Sequence, residues 1–185
     1  MSVVLVAALS GVAVGVAAWA VPASAHGGGT PVPDAAYYRT ALTGVVPAPA
    51  GVAVRVDPAG EWVELSYTGP GSVIVYGYLA EPYLRVTSTG VDENSLSPST
   101  YLNRSLFADS VPTGAAAADV APAWHRIGST GRVQWHDHRL HWMGRAQPPA
   151  VAADPRRAHE VGTWVMHATA DGAPFEVRGT LRLGR

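Results

Sequence analysis

Apolar and polar residues alternate with a period of two along several short stretches of this chain, the pattern of half-buried β-strands. Residues 52–56 and 63–67 alternate in this way, and Asp57-Pro58-Ala59-Gly60 between them indicates a turn. Residues 72–79 are apolar on both faces, as in a central strand, and residues 83–88 form a further predicted strand. No segment keeps a helical period, so a sheet of alternating strands and helices is not expected.

The clearest hairpin lies near the C-terminal end of the sequence. Residues 161–169 form its first arm, and Asp171-Gly172 is a turn signal. The second arm alternates between residues predicted to face the core (Phe175, Val177, Leu181 and Leu183) and residues predicted to face water (Glu176, Arg178, Thr180 and Arg182).

About seven short strands with turns between them predict an all-β fold, an antiparallel sandwich of immunoglobulin type. The alternation fades over residues 89–129, which we expect to form a long irregular crossover. Residues 26–51 contain glycine and proline clusters and are predicted to be a flexible leader. The β-sandwich domain would then occupy residues 52–185.

The first 25 residues have the features of an export segment. An almost unbroken apolar run extends from Val3 to Val21, and Ala23-x-Ala25 follows as the small-residue pattern of a signal-peptidase site. The run is also long enough to cross a bilayer if it is not cleaved. Residues 1–25 are thus predicted to be a signal peptide or an N-terminal membrane anchor. Both options place the remaining chain outside the cytoplasm, secreted or anchored, and cleavage after Ala25 would make His26 the first residue.

The composition argues against several classes of function. The formal net charge is -1 and only 15% of residues are charged, so there is no electrostatic basis for binding nucleic acid. The absence of cysteine excludes disulfides, thiolate metal sites and cysteine nucleophiles. The serines and carboxylates lack the spacing of a nucleophile elbow or of a carboxylate pair. We therefore do not expect an enzyme.

Candidate chemistry is concentrated in residues 135–143, which hold three of the seven histidines. If Val133 and Trp135 point inward on a strand, His136 and His138 both point outward. Two imidazoles about 7 Å apart along a strand can share one Zn²⁺ or Cu²⁺ when a third ligand is present.

Two neighbours of this pair complete the candidate site. His141 has the opposite parity and joins the pair only if the chain turns near Arg139. Asp137 is a candidate acceptor for an imidazole N–H. The alternative is that Trp135, Leu140 and Trp142 anchor the core and the histidines form a polar rim without metal.

At its two ends the chain resembles the CopC-type copper-binding proteins of the bacterial periplasm. Those small exported β-sandwiches begin with His and close on a hairpin similar to residues 167–174, which read His-Ala-Thr-Ala-Asp-Gly-Ala-Pro here. The resemblance implies a Cu(II) site built from the N-terminal His26 and from Asp171. Ala173 stands where the family has a further His ligand, which leaves two alternatives: a residue among His136–His141 replaces that ligand, or the site is absent.

The middle of the chain, including residues 77–85 and 97–104, resembles a group of uncharacterised exported proteins of high-GC bacteria. That resemblance implies a compartment but no activity. We expect an extracytoplasmic protein that binds or carries copper, with zinc as the second option. Its expected partners are the metal ion and, at the envelope, the membrane or envelope proteins. The alternative expectation is an envelope interaction or structural module with no metal.

Overall fold

In the computed structural model, the described residues form ten antiparallel strands in two sheets. The structure describes residues 38–104, 111, 120–144 and 146–183. The strands are β1 (Tyr38–Val46), β2 (Val52–Val56), β3 (Val63–Tyr67), β4 (Ser72–Tyr76), β5 (Pro82–Thr87), β6 (Gly90–Asn94), β7 (Trp124–Gly128), β8 (Arg132–Trp135), β9 (His159–Ala170) and β10 (Ala173–Leu183). Two short α-helices, α1 (Pro98–Leu102) and α2 (Pro149–Ala153), and a 3₁₀ helix, His138–Leu140, complete the described elements.

The larger sheet has the order β1-β10-β9-β4-β5-β6-β7, and the smaller has the order β2-β3-β8. Their facing side chains form one core, in which Val63, Leu65 and Trp135 of the smaller sheet pack with Val75 and Met166 of the larger. Burying these apolar surfaces between two sheets is the main stabilising contribution of the fold. The predicted all-β architecture is confirmed, whereas the immunoglobulin-type arrangement of strands is not.

The closing hairpin is confirmed. Asp171 and Gly172 have positive φ angles of 51° and 82°, as a tight two-residue turn requires. The side chains predicted to face the core are all buried in the hairpin: Phe175, Val177, Leu181 and Leu183. Strands β2, β3 and β8 also lie where the alternation predicts them.

The prediction of a flexible leader over residues 26–51 is wrong for residues 38–46. These residues form β1, which pairs with β10 from Tyr38 opposite Leu183 to Val46 opposite Glu176. The buried positions of this strand include Thr40, whose hydroxyl accepts a 2.7 Å hydrogen bond from Trp164 Nε1. A polar residue on the inner face weakened the hydrophobic alternation, and the domain therefore begins before residue 52.

The prediction of a long irregular crossover over residues 89–129 is also wrong in part, because β6, α1 and β7 lie within it. Asp92 is buried in β6 and accepts hydrogen-bonded ion pairs of 2.9 Å from both Arg85 and Arg126. The two guanidinium groups compensate the buried carboxylate. Residues 105–110 and 112–119 of this stretch lie outside the described residues.

None of the helices in the described ranges is long and apolar enough to cross a membrane. The predicted export segment, residues 1–25, falls outside those ranges.

Candidate metal centre

Strand β8 ends at Trp135, so the histidine-containing segment that follows lies outside the sheet. Asp137 then caps a 3₁₀ turn over His138–Leu140, with its Oδ1 accepting a 3.1 Å hydrogen bond from the Arg139 backbone N–H. The expectation that His136 and His138 lie on one outward strand face is therefore wrong. His138 is buried, at 8% exposure, and His136 is half-buried.

The turn nevertheless brings the three histidines of this segment together. The ring centre of His136 lies 5.0 Å from that of His138 and 4.8 Å from that of His141. His141 joins the group because the chain turns at Arg139. The sequence predicts that His141 joins only if the chain turns there. We call His136, His138 and His141 the histidine cluster.

Backbone carbonyls hold two of these rings in place. His136 Nδ1 lies 2.9 Å from the Glu61 carbonyl oxygen, and His138 Nε2 lies 2.7 Å from that of Leu102. A carbonyl oxygen only accepts hydrogen bonds, so each of these nitrogens carries the proton and donates. In the neutral rings the lone pair then sits on His136 Nε2 and on His138 Nδ1.

Two nitrogens of the cluster are buried without a hydrogen bond to any residue that the structure describes, His136 Nε2 and His141 Nε2. A buried polar atom left in this state costs about 1–3 kcal/mol. Two such atoms on neighbouring rings are the chemical feature of this site that the rest of the fold does not explain.

The pKa of His141 is lowered to about 4. Burial is the largest cause, followed by repulsion from the neighbouring His136 and His138. The ring lies against the β2–β3 turn, where a Cβ built on Gly60 would come within 3.2 Å of His141 Cε1. A neutral imidazole is the form that binds metal.

The prediction that Asp137 accepts from an imidazole N–H is not confirmed; the hydrogen bonds of Asp137 to other described residues organise the segment around the cluster. Its carboxylate is fully buried and accepts from Arg139 Nε at 2.8 Å, Arg139 Nη2 at 2.7 Å and Trp135 Nε1 at 3.1 Å. Burial alone would raise the pKa of Asp137, but the charge and hydrogen bonds of Arg139, with the bond from Trp135, hold it below its usual value. The carboxylate is therefore ionised and fixes the 3₁₀ turn.

The β4–β5 loop supports this segment from the other side. The Tyr78 hydroxyl accepts a 2.8 Å hydrogen bond from the His138 backbone N–H and donates to Asn103 Oδ1. Burial and the nearby Asp137 charge raise the pKa of Tyr78, so the hydroxyl stays protonated. The loop is itself anchored by buried Glu81, which accepts 2.7 Å hydrogen bonds from the hydroxyls of Ser97 and Ser99.

Asp171 lies at the opposite end of the sandwich from the histidine cluster. Its carboxylate accepts from the Ser72 backbone N–H at 2.8 Å and from the Tyr67 hydroxyl at 3.2 Å. Tyr67 is four residues along β3 from Val63, the residue that pairs with Trp135, a separation of about 13 Å. The structure thus gives Asp171 a role in the hairpin turn and does not bring it to the histidines.

His26 lies outside the described residues, but the start of β1 is near the cluster. The Thr40 backbone N–H donates a 2.9 Å hydrogen bond to the Pro58 carbonyl oxygen, in the turn that Gly60 closes. The chain therefore enters the sheet at the end of the sandwich that carries the cluster.

Among the residues that the structure describes, no three His, Asp or Glu side chains are arranged as a group that could hold a metal ion. The histidine cluster is accordingly not a formed metal site. The sequence pointed to the three histidines but missed Tyr78 and Leu102, which bind His138 from distant parts of the chain, and Asn103, which accepts from Tyr78.

No protein-family model matches this chain, and neither the comparison with curated proteins nor that with solved structures finds a match. The resemblance to periplasmic copper-binding proteins therefore stays a prediction.

Proposed function

We propose that this is an extracytoplasmic protein that binds a transition-metal ion, copper or zinc, through the histidine cluster. The observation that carries the proposal is the close approach of three imidazoles, with two buried Nε2 atoms, on His136 and His141, that have no hydrogen bond within the described part of the chain. Imidazole nitrogen is a ligand that both Cu²⁺ and Zn²⁺ accept readily.

The ring separations support this reading. Two imidazoles that bind one tetrahedral Zn²⁺ at about 2.1 Å place their ring centres about 5 Å apart. The rings here are separated by 4.8 Å and 5.0 Å. Binding would have to reorient at least one ring, because no metal-ready group is present in the described ranges. Coordination would then satisfy His136 Nε2 and His141 Nε2, which have no hydrogen bond among the described residues.

The carbonyl contacts also favour a ligand role. A metal-binding histidine commonly donates its second ring N–H to a carbonyl or carboxylate, which orients the ring. Glu61 and Leu102 supply carbonyl oxygens of this kind to His136 and His138. Three imidazoles leave one position of a four-coordinate ion open, and we assign it to water or to His26. We do not assign a ligand role to Asp171.

A chelator-competition titration of residues 26–185 with Zn²⁺ and Cu²⁺ tests the proposal. We expect one equivalent of metal to bind, and His136→Ala with His141→Ala to weaken binding at least about 100-fold, as the loss of two ligands implies. The control is His167→Ala on β9, near the hairpin turn. An affinity unchanged by the double substitution, or weakened equally by the control, would remove the cluster as the site.

The second candidate is an envelope interaction or structural module without metal. It is favoured by the absence of a metal-ready group in the described residues and by the carbonyl partners of His136 and His138. In that case Zn²⁺ and Cu²⁺ would bind no more tightly to the wild type than to the double variant.

A further inference from the structure

Four exposed arginines lie around the end of the larger sheet where β1 begins. Arg39 on β1 is directly opposite Arg182 on β10, and Arg182 is opposite Glu160 near the start of β9. Arg156 and Arg157 lie in the loop between α2 and β9. All four arginines are exposed, and we call Arg39, Arg156, Arg157 and Arg182 the arginine surface.

Strand pairing places Arg39 and Arg182 on the outer face of the sheet. Their neighbours Tyr38 and Leu183 are buried on the inner face, and side chains alternate between the two faces along a strand. Arg39 and Arg182 therefore point away from the core. Because they are directly opposite each other, their positive charges lie side by side on one surface.

Arg156 and Arg157 carry the charge that the fold uses least. Neither side chain forms an ion pair with a residue that the structure describes. Their loop is nevertheless fixed in place: Asp154 Oδ1 accepts a 3.3 Å hydrogen bond from the Arg156 backbone N–H, and the Asp154 carbonyl oxygen lies 2.7 Å from His159 Nε2, at the start of β9. Two adjacent guanidinium groups are thus available to a partner beside the start of the strand.

The carboxylates that the structure places beside this surface do not neutralise it. Glu160 lies 3.3 Å from Arg182, and both side chains are at least half exposed, as in a weak ion pair. Asp57 and Glu61 lie beyond β1 in the β2–β3 turn, where the Asp57 carboxylate accepts from the Glu61 backbone N–H. The arginine surface therefore keeps an excess of positive charge, although the whole chain has a formal net charge of -1.

We propose that the arginine surface docks on the headgroups of an anionic lipid bilayer. The sequence supplies the second argument, because the apolar run Val3–Val21 precedes β1 and the chain enters the sheet at this same end. Sixteen residues, 22–37, separate the run from Tyr38 and span at most about 55 Å when extended. An arginine near an anionic bilayer is attracted to it. The proposal rests on the predicted export segment and not on metal at the histidine cluster.

Vesicle sedimentation of residues 26–185, which contain every described element, tests the proposal without the apolar run. We expect the protein to bind vesicles of phosphatidylglycerol mixed with phosphatidylcholine, and not vesicles of phosphatidylcholine alone. Binding should be lost in about 0.5 M NaCl, because the screening length then falls to roughly 4 Å. Binding to both kinds of vesicle, binding that resists salt, or no binding to the anionic vesicles would overturn the proposal.

Arg156→Gln with Arg157→Gln should weaken binding to the anionic vesicles at least about tenfold. The melting temperature should stay unchanged, because both side chains are exposed and outside the ion pairs of the described residues. The comparison of lipids and salt on wild-type protein does not depend on this variant.

The matched control is Arg55→Gln with Arg126→Gln, which removes the same charge from β2 and β7. Their partners Glu64 and Asp92 each keep a second arginine, so neither carboxylate is left unpaired. Binding of this variant to the anionic vesicles should stay close to that of the wild type. An equal loss in the two double variants would show that net charge acts alone and would remove the arginine surface as the docking site.

Discussion

Single residues in this protein have roles that their type alone does not reveal. Asp137 is a carboxylate with no exposed surface, yet it accepts from Arg139 and Trp135 and ends the strand that precedes it. Removing one partner of a buried ion pair leaves an uncompensated charge and costs about 3–5 kcal/mol. The position of the histidine cluster therefore depends on a residue that would not itself touch a metal.

The two tryptophans of this segment differ in burial, and the difference can be measured. Trp135 is 8% exposed in the main core, whereas Trp142 is half-buried beside the smaller cluster of Val151 and Leu181. We expect Trp135→Ala to lower the free energy of unfolding by about 3–5 kcal/mol. Trp142→Ala should cost less than about 2 kcal/mol, because part of the ring stays in water. Urea denaturation measures both, and equal losses would contradict this assignment.

At the scale of elements, the sequence predicts a strand where one face is apolar and the other polar. Strands β2, β3, β8 and the final hairpin have this pattern and were predicted. Strand β6 buries Asp92 and Asn94, which the ion pairs and hydrogen bonds of distant residues compensate. Strand β7 is an edge strand that leaves three of its five residues exposed, Ile127 among them. Strand β6 was missed because its buried polar residues depend on partners that local hydrophobicity does not show. Strand β7 was missed because its exposed residues break the apolar alternation.

In the candidate site, too, some features can be predicted from the sequence and others depend on contacts between distant residues. The histidine spacing and the need for a turn at Arg139 can be read from the sequence. The 3₁₀ helix cannot, because it depends on Tyr78, Leu102 and Trp135 meeting in three dimensions. The structure does not bring Asp171 to the histidine cluster, and the sequence could not show this, because a motif at a turn does not reveal which end of the sandwich it occupies.

Protonation of His141, the residue that ends the 3₁₀ helix, should make the stability of the protein depend on pH. His141 has a folded-state pKa of about 4, below the value of about 6.5 for an unfolded chain. Between these values the unfolded chain binds a proton that the folded protein excludes, so the free energy of unfolding falls as pH is lowered. The stabilising contribution is complete above about pH 6.5.

Chemical denaturation of metal-free protein between pH 4 and 7 measures this slope. His141→Gln should flatten it relative to wild type, because glutamine does not titrate. Equal slopes for the two proteins would show that His141 is not the group responsible.

At the scale of the whole molecule, the two ends of the sandwich have different chemistry. Asp171 and the hairpin turn lie at one end, bound to Ser72 and Tyr67. The histidine cluster and the start of β1 lie at the other, joined through the β2–β3 turn. A site built from His26 would therefore more readily include the cluster than the hairpin that the resemblance to copper-binding proteins implies.

The last prediction concerns His26. Residues 26–37 number twelve and span at most about 40 Å when extended, enough to reach the cluster from the start of β1. If the chain is exported and cleaved after Ala25, as the sequence predicts, its intact mass should correspond to a chain that begins at His26. A free His26 offers its α-amine and ring Nδ1 to Cu²⁺, which favours nitrogen ligands in a square-planar arrangement.

An extra serine placed before His26 would move the α-amine away from this chelate. That extended chain should bind Cu²⁺ at least about tenfold more weakly than the native N-terminus, with an unchanged melting temperature. Electron paramagnetic resonance should count fewer equatorial nitrogens in it. A mass that includes residues 1–25, or equal copper affinity in the two chains, would show that the α-amine of His26 is not a ligand.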